Sequence, residues 1–252
     1  MRPSALVTGA SRGIGEAIAR RLAAAGHPVA LLARGLPDLE RVGGELREAG
    51  ATVTWAAADL TDAEARASAL DRIEAELGPI GVLVNNAGGN IRKPSLAYTA
   101  AEWDGLLQLS LSAPFALMQR VAPGMQEAGF GRIVNIGSVA GMRALPTGAP
   151  YAAAKAGLAH LTRVLAREWG ASGITVNCVA PWYVRTPLTE PVLDDPSYGA
   201  AVLACTPSGT LGSTKDVAAA VAFLVGDDAA WINGVVLPVD GGFTASSFFP
   251  PA

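Results

Sequence analysis

Seven short apolar runs, at 5–8, 29–33, 52–57, 82–84, 131–136, 175–179 and 235–239, punctuate the chain. They alternate with alanine-rich stretches whose apolar residues recur at helical spacing, over about 13–25, 38–49, 62–76, 101–128, 150–171 and 214–225. A strand wetted on one face would alternate apolar and polar residues. These runs are almost continuously apolar, so both faces are expected to be covered. Repeated strand–helix–strand units then imply an α/β fold, a doubly wound parallel sheet with helices on both faces. Local signals agree with the period. Pro37-Asp38 opens a helix, Thr61-Asp62-Ala63-Glu64 reads as a capping box, and Gly50 and Gly78 sit where helices should stop.

Several classes of protein are excluded at this level. The chain of 252 residues suits one domain, 1–252, and a 50% apolar content is ample for its core. A net charge of −3 offers no basic field for nucleic acid and no polybasic face for a membrane. No apolar run is long enough to span a bilayer, and a strand begins almost at the first residue, so a cytoplasmic protein is expected. Cys178 and Cys205 are far apart, and His27 and His160 are scattered, so no metal site is expected. Segment 181–213 breaks the rhythm with Pro, Gly, Ser and Thr, as a substrate lid would. The apolar tail Phe248-Phe249-Pro250-Pro251 would either be disordered or dock on another subunit.

Between the first strand and first helix runs Thr8-Gly9-Ala10-Ser11-Arg12-Gly13-Ile14-Gly15. Glycines in that context let backbone approach a pyrophosphate, which the free N–H groups and positive end of the helix then hold. An acidic residue ending the second strand would accept from a ribose 2′-OH and select NAD(H). Here Ala33-Arg34 stands instead, and Arg34 with Arg12 can pair with a 2′-phosphate, which favours NADP(H) over NAD(H). Asp59-Leu60 follows the third strand. Asp59 would either accept from the adenine amino group or cap a helix.

Tyr151 and Lys155 are four residues apart at the start of a long helix and share one of its faces. A free tyrosine has a pKa of about 10. A close ammonium favours the phenolate, and a drop of about 2 units needs roughly 2.7 kcal/mol. The strand 131–136 leads into Ser138, just ahead of that helix. Ligands of open α/β sheets bind outside the carboxyl ends of strands. Ser138 would therefore either donate to a substrate carbonyl oxygen while Tyr151 supplies the proton, or simply form the turn.

Taken in order, these pieces resemble the short-chain dehydrogenase/reductase family over nearly the whole chain. The likeness includes Asn85-Asn86-Ala87-Gly88, Asn177-Cys178-Val179-Ala180-Pro181 and Asp240-Gly241-Gly242 as well. Asn90-Ile91-Arg92-Lys93-Pro94 and Trp182-Tyr183-Val184-Arg185-Thr186-Pro187-Leu188 are similar to tropinone-reductase-like and gluconate-5-dehydrogenase-like members, and 3-oxoacyl-carrier-protein-reductase-like members share the same motifs. The resemblance implies a Rossmann-type seven-stranded sheet and hydride transfer between a nicotinamide and a ketone/secondary alcohol pair. It implies that Lys155 holds the nicotinamide ribose and lowers the Tyr151 pKa, and that Asn86, Ala87 and Gly88 border the cofactor with Pro181 and Val184. Thr186 would reach the carboxamide. Homotetramers or homodimers built through the helices at 101–128 and 150–171 are implied too.

Two departures from the family pattern stand out. Ser110 occupies the place of a fourth catalytic residue, usually asparagine, whose carbonyl holds a water that reaches the lysine. Pro114 has no N–H to give to the Ser110 carbonyl, so backbone geometry would preserve that relay. Trp182 replaces a glycine at the expected mouth, where it would narrow the pocket, stack on a ligand or pack under the lid. Substrate contacts are expected from Ile91, Met142, Leu145, Trp182, Tyr183, Leu188 and Val192, with Arg92, Lys93 and Arg143 available to an anion. The main reading is a ketoreductase acting on a small molecule. Its alternatives are a cofactor-binding sensor of weak activity and a non-redox step on a biosynthetic intermediate.

Overall fold

The structure, a computed structural model, describes residues 2–246. The apolar tail at 248–251 lies outside them. Seven strands form one parallel sheet in the order β3-β2-β1-β4-β5-β6-β7. They are β1 (Ser4–Thr8), β2 (Val29–Ala33), β3 (Val53–Ala57), β4 (Ile80–Asn85), β5 (Gly131–Ile136), β6 (Ile174–Pro181) and β7 (Val236–Val239). The order reverses between β1 and β4, so their carboxyl ends diverge and open a crevice there.

Each face of the sheet carries its own core. On one side α1 (Gly13–Ala24), α2 (Leu36–Glu48) and α9 (Thr214–Val225) pack through Ile18, Leu22, Leu39, Val42 and Val221 against Ala5, Val7 and Leu31. On the other, α3 (Ala63–Leu77), α5 (Ala113–Ala128) and α6 (Ala149–Trp169) pack through Leu70, Ile73, Leu117, Met118 and Leu158 against Leu6, Leu32 and Ile133. Neighbouring residues of β1 thus feed opposite cores, which is why its sequence is apolar without alternation.

Two expectations are corrected. Asp62, rather than a Thr61–Glu64 box, caps α3 by accepting from the N–H groups of Glu64 and Ala65 at 2.9 and 3.0 Å. True capping boxes occur at Thr99/Glu102 and Ser213/Asp216. The helix expected over 101–128 is two helices, α4 (Ala100–Leu107) and α5, joined by a π-helical turn at Gln108–Ser112. In that turn the Ala113 N–H bonds back to the Gln108 carbonyl. The segment from Trp182 to Ser213 is not plain loop. It contains the short helix α7 (Glu190–Leu193) and α8 (Pro196–Ala204), which is capped by Asp195. Among the described residues, no helix is long and apolar enough to cross a membrane.

Candidate active site

The turn between β1 and α1 is shaped by what glycine alone permits. Gly9 sits at φ 64°, and a Cβ there would come within 2.8 Å of the Asn86 side chain. A Cβ on Gly15 would lie 2.2 Å from the Gly9 carbonyl oxygen, so only glycine lets α1 start this close to the strand. Asn86 locks the turn by donating from Nδ2 to the Thr8 and Gly9 carbonyls at 2.9 and 3.3 Å. Thr8 Oγ1 in return accepts the N–H groups of Asn86 and Ala87, both at 3.0 Å. No side chain caps α1, and Arg12 at its N-cap is extended, so the first turn presents its amides outward beside Ser11 and Ile14.

The dinucleotide expected from the sequence fits this cradle. The glycine turn and the uncapped α1 suit a pyrophosphate. Arg12 and Arg34 are exposed and belong to none of the ion pairs among the described residues, whereas the nearby Arg41 is engaged by Glu16 and Glu45. Asp59 accepts from the Thr61 N–H and hydroxyl at 2.9 and 2.8 Å. These bonds and then the Arg34 charge hold its carboxyl below the usual range. It is an ionised acceptor and not the cap of α3. Leu60 departs from expectation: its side chain belongs to the core, so only its backbone is left for a ligand. Opposite the glycine turn, a Cβ on Gly13 would meet the methyl of Thr186 at 3.6 Å, which puts the lid directly over the cofactor cradle. Val184, beside it, is buried and bridges to Gly212.

The chemistry-bearing side chains gather at the carboxyl end of β5. Ser138 accepts from the Ala140 N–H at 3.1 Å. Turn-forming and donating roles are therefore compatible, because the serine proton stays available to the cavity. Tyr151 and Lys155 come from the first turns of α6. The Lys155 ammonium donates to the Ile136 carbonyl at 2.7 Å and sits 5.8 Å from the Tyr151 ring centre. Gly88 runs beside it, since a Cβ there would be 3.7 Å from Nζ.

The electrostatics differ from the expected scheme. Burial raises the Tyr151 pKa above its ordinary value. The opposing pulls come from the Ser138 hydroxyl and the Arg92 charge, not from Lys155. Burial also depresses Lys155 to about 8. Desolvation outweighs the pairing of the two groups, and Tyr151 stands as a protonated acid at neutral pH.

Ser110 is fully buried in the π turn, and its hydroxyl has no hydrogen-bond partner among the described residues. The turn presses on α6 where a Cβ on Gly157 would be 3.1 Å from Leu111. Because the Ala113 N–H is diverted to Gln108 and Pro114 has none, the carbonyls of Leu109 and Ser110 lose their ordinary helical donors.

A cavity of about 290 Å³ opens from Ser138 and Tyr151 toward the lid. Leu145, Trp182, Tyr183, Leu188 and Val192 line it together with Pro181, while Ile91 and Met142 lie outside it as exposed side chains. Trp182 packs under the lid while lining the cavity. It stacks on Phe243 at 3.7 Å and donates from Nε1 to Thr206 at 3.0 Å. Of the three cations expected to serve an anion, Lys93 is paired with Glu102 and Arg143 donates to the Thr244 carbonyl at 2.7 Å. Arg92 alone lines the cavity. Sequence reasoning missed Asn90 and Thr147, both on the lining and joined by an Asn90 Nδ2 to Thr147 carbonyl bond of 2.8 Å. Among the described residues, no cluster of His, Cys, Asp and Glu could hold a metal ion.

A family model described as enoyl-(acyl carrier protein) reductase matches residues 9–244, and the chain belongs to the short-chain dehydrogenase/reductase family. The 3-oxoacyl-(acyl-carrier-protein) reductase FabG of Escherichia coli is 42% identical over 238 residues, 94% of this chain and 96% of the relative. The gluconate 5-dehydrogenase of Gluconobacter oxydans is 38% identical over 242 residues, 96% of this chain and 94% of the relative. The crystal structure of a gluconate 5-dehydrogenase from Burkholderia cenocepacia in complex with NADP and tartrate superposes with a TM-score of 0.93 at 35% identity, covering 97% of this chain and 96% of that one. The protein is thus an oxidoreductase of a family with dehydrogenase and reductase members.

Proposed function

We propose that the protein is an NADP(H)-dependent ketoreductase, interconverting a small-molecule ketone and secondary alcohol with Tyr151 as general acid and base. The observation that carries this reading is the gathering of Ser138, Tyr151 and Lys155 at the carboxyl end of β5, with Ser138 and Tyr151 on the cavity lining. When bound, the nicotinamide supplies or accepts the hydride. Gly9, Ser11, Gly13, Ile14 and Gly15 would hold its pyrophosphate, Arg12 and Arg34 the 2′-phosphate, and Asp59 the adenine amino group. Asn86, Ala87, Gly88, Pro181, Val184 and Thr186 would border the nicotinamide end. NADP in the Burkholderia relative agrees with Arg12 and Arg34, which join no ion pair among the described residues.

In the reductive direction Ser138 donates to the carbonyl oxygen and fixes its position. The Tyr151 hydroxyl gives its proton to that oxygen as negative charge develops. Lys155 then offsets the charge left on the phenolate, a role its buried position strengthens. A tyrosine that burial keeps protonated suits reduction near neutrality, so alcohol oxidation should climb with pH as Tyr151 loses its proton while reduction declines. The carbonyls freed around Pro114 and the Ser110 hydroxyl provide acceptors for a water leading from Lys155, which would preserve proton exchange without an asparagine. Ser110 in place of the usual asparagine is also what favours the second reading, a cofactor-binding protein of weak or non-redox activity. The helices α4, α5 and α6 would assemble a homotetramer or homodimer, and exposed Trp103 and Val164 support that use of their faces.

NADPH oxidation by the purified protein against cyclic, aliphatic, sugar-acid and acyl-thioester ketones tests the reading. Turnover that prefers NADPH and disappears in Tyr151→Phe is expected. Tight NADPH binding without turnover across that panel would shift the reading to the cofactor-binding alternative.

A further inference from the structure

A second cavity, of about 160 Å³, adjoins the substrate cavity, with Thr206, Ser208, Thr210, Asp216 and Asp240 on its lining. Trp182 and Tyr183 belong to both linings and so stand between the two spaces. Tyr183 is tied by its hydroxyl to Arg92 and Tyr198. Its ring meets the indole of Trp182 edge-on, with centroids 4.6 Å apart.

We propose that Trp182 is a specificity-determining wall. Its indole separates the two cavities and limits the reaction to ketones whose longer arm ends before it. The proposal rests on the ketoreductase reading and bounds its substrate class by size.

The contacts of the indole make it a fixed wall. One face stacks on Phe243 at 3.7 Å between centroids, with the planes 8° apart. Nε1 donates to Thr206 Oγ1 at 3.0 Å, and that hydroxyl spends its own proton on the Val202 carbonyl at 2.7 Å. Thr206 is buried, so an indole that swung away would leave its oxygen without that donor. The backbone is held on both sides of the stack. The Trp182 N–H donates to the Val239 carbonyl at 3.1 Å, which extends the pairing of β6 with β7. Phe243 rides on a turn whose Gly242 and Thr244 N–H groups donate to Asp240 at 2.9 and 2.7 Å. Arg143 donates to the Thr244 carbonyl of the same turn at 2.7 Å.

The two sides of the wall differ in chemistry. Before it, the lid offers Leu188, Pro191 and Val192. Beyond it stand hydroxyls and two carboxylates. Bonds from the Ser213 N–H and hydroxyl hold Asp216 below the usual range. At Asp240 burial pushes upward and is outweighed by bonds from Thr244 and Gly242. The indole thus keeps an apolar arm away from ionised groups that it could not satisfy. With the glycine of the family pattern at this position, no side chain would part the spaces, and the cavity would grow by about half.

The test is a ladder of straight-chain methyl ketones of increasing length, each made with a methyl end and with a hydroxyl end. NADPH oxidation gives kcat/KM along both series. In the parent protein it should climb with length and then break at the chain that meets Trp182. In Trp182→Ala the ratio of chains just past the break to chains just before it should rise about 15–60-fold, through KM, the worth of burying two or three methylenes. Hydroxyl-ended chains should gain as well, since Asp216 and Asp240 can accept from them. Trp182→Phe keeps a ring against Phe243 and should leave the break in place. Phe243→Ala leaves the indole unbacked and should raise the ratio by a smaller factor. A smooth ladder in the parent protein would overturn the assignment. So would a gain confined to methyl-ended chains, or a break unmoved in Trp182→Ala or, should that variant not fold, in Phe243→Ala. Calorimetric titration of the same ketones into the NADP-loaded protein, where no reduction can occur, reads the break as affinity. If no ketone turns over, the ketoreductase reading fails. A binding break that moves in Trp182→Ala would still uphold the wall, and its absence would overturn it.

Discussion

The cofactor cradle and the substrate cavity are built in opposite ways. The cradle is local: one run of eight residues, 8–15, supplies its turn, and Asn86, just past the end of β4, locks it. Its contacts with a ligand would be mainly backbone amides. The cavity collects Asn90 and Arg92, Ser138 to Tyr151 and the lid from Pro181 onward, and its contacts are side chains. Backbone sites tolerate change at most surrounding positions, while side-chain sites change character with one substitution. Cofactor binding and substrate choice should therefore be separable in this protein.

Tyr151→Phe makes the deepest cut between the two regions. Loss of the general acid should lower kcat by about 10²–10⁴-fold. NADPH affinity, followed by quenching of protein fluorescence, should stay within a few-fold of the parent. A parallel collapse of NADPH binding would merge what the comparison separates. Arg34→Glu attacks the other side. It should move the ratio of NADPH to NADH efficiency by about 10–100-fold toward NADH, the scale of a lost charge-assisted bond. The order in which ketones are preferred should remain as it was, and a reordered panel would contradict the separation.

Lys155 ties the regions together and carries a cost in stability. Its depression from 10.5 to about 8 corresponds to roughly 3 kcal/mol, the penalty for a buried ammonium. Loss of the Ile136 bond offsets part of that, so Lys155→Met should abolish turnover yet raise unfolding stability at pH 7 by about 1–2 kcal/mol. The sign with pH follows from proton binding. Between pH 8 and 10.5 the folded lysine has released its proton while the unfolded one keeps it, so Lys155 makes the parent protein more stable across that window as pH rises. Urea titrations of parent and variant at both ends of the window check this, and their difference should shrink toward high pH. The smallest effect is expected at Pro114→Ala. Restoring an N–H to the helix should slow turnover by about fivefold, the worth of one hydrogen bond, with NADPH binding unaltered. Equal or faster turnover would remove the water relay from the mechanism.

The cradle was legible in the sequence because glycines, strand and helix follow one another within a single motif, and strand positions followed because doubly buried strands need unbroken apolar runs. The π turn escaped reading. Its cause is one N–H choosing Gln108 over the next carbonyl, and Pro114 lies where a helix start tolerates it. The lid helices were hidden by proline and glycine, although Asp195-Pro196 is itself a helix-start signal. Arg92 and Tyr183 were named from the sequence, but the bonds from Arg92 to the Tyr183 and Tyr198 hydroxyls had no local signal, since they join residues 91 and 106 positions apart. The stack of Trp182 on Phe243 was equally invisible. The Tyr151 pKa was misjudged because spacing reveals a neighbouring lysine but not the desolvation that dominates both groups.

The central claim is hydride transfer to a ketone under the control of Tyr151. It is tested most directly by giving the protein NADPH deuterated at the transferable position, with the ketone panel, and taking mass spectra of the products. The expected result is an alcohol carrying deuterium on the former carbonyl carbon, formed by the parent protein and not by Tyr151→Phe. Product without deuterium, or labelled product formed as fast without the tyrosine hydroxyl, would contradict it.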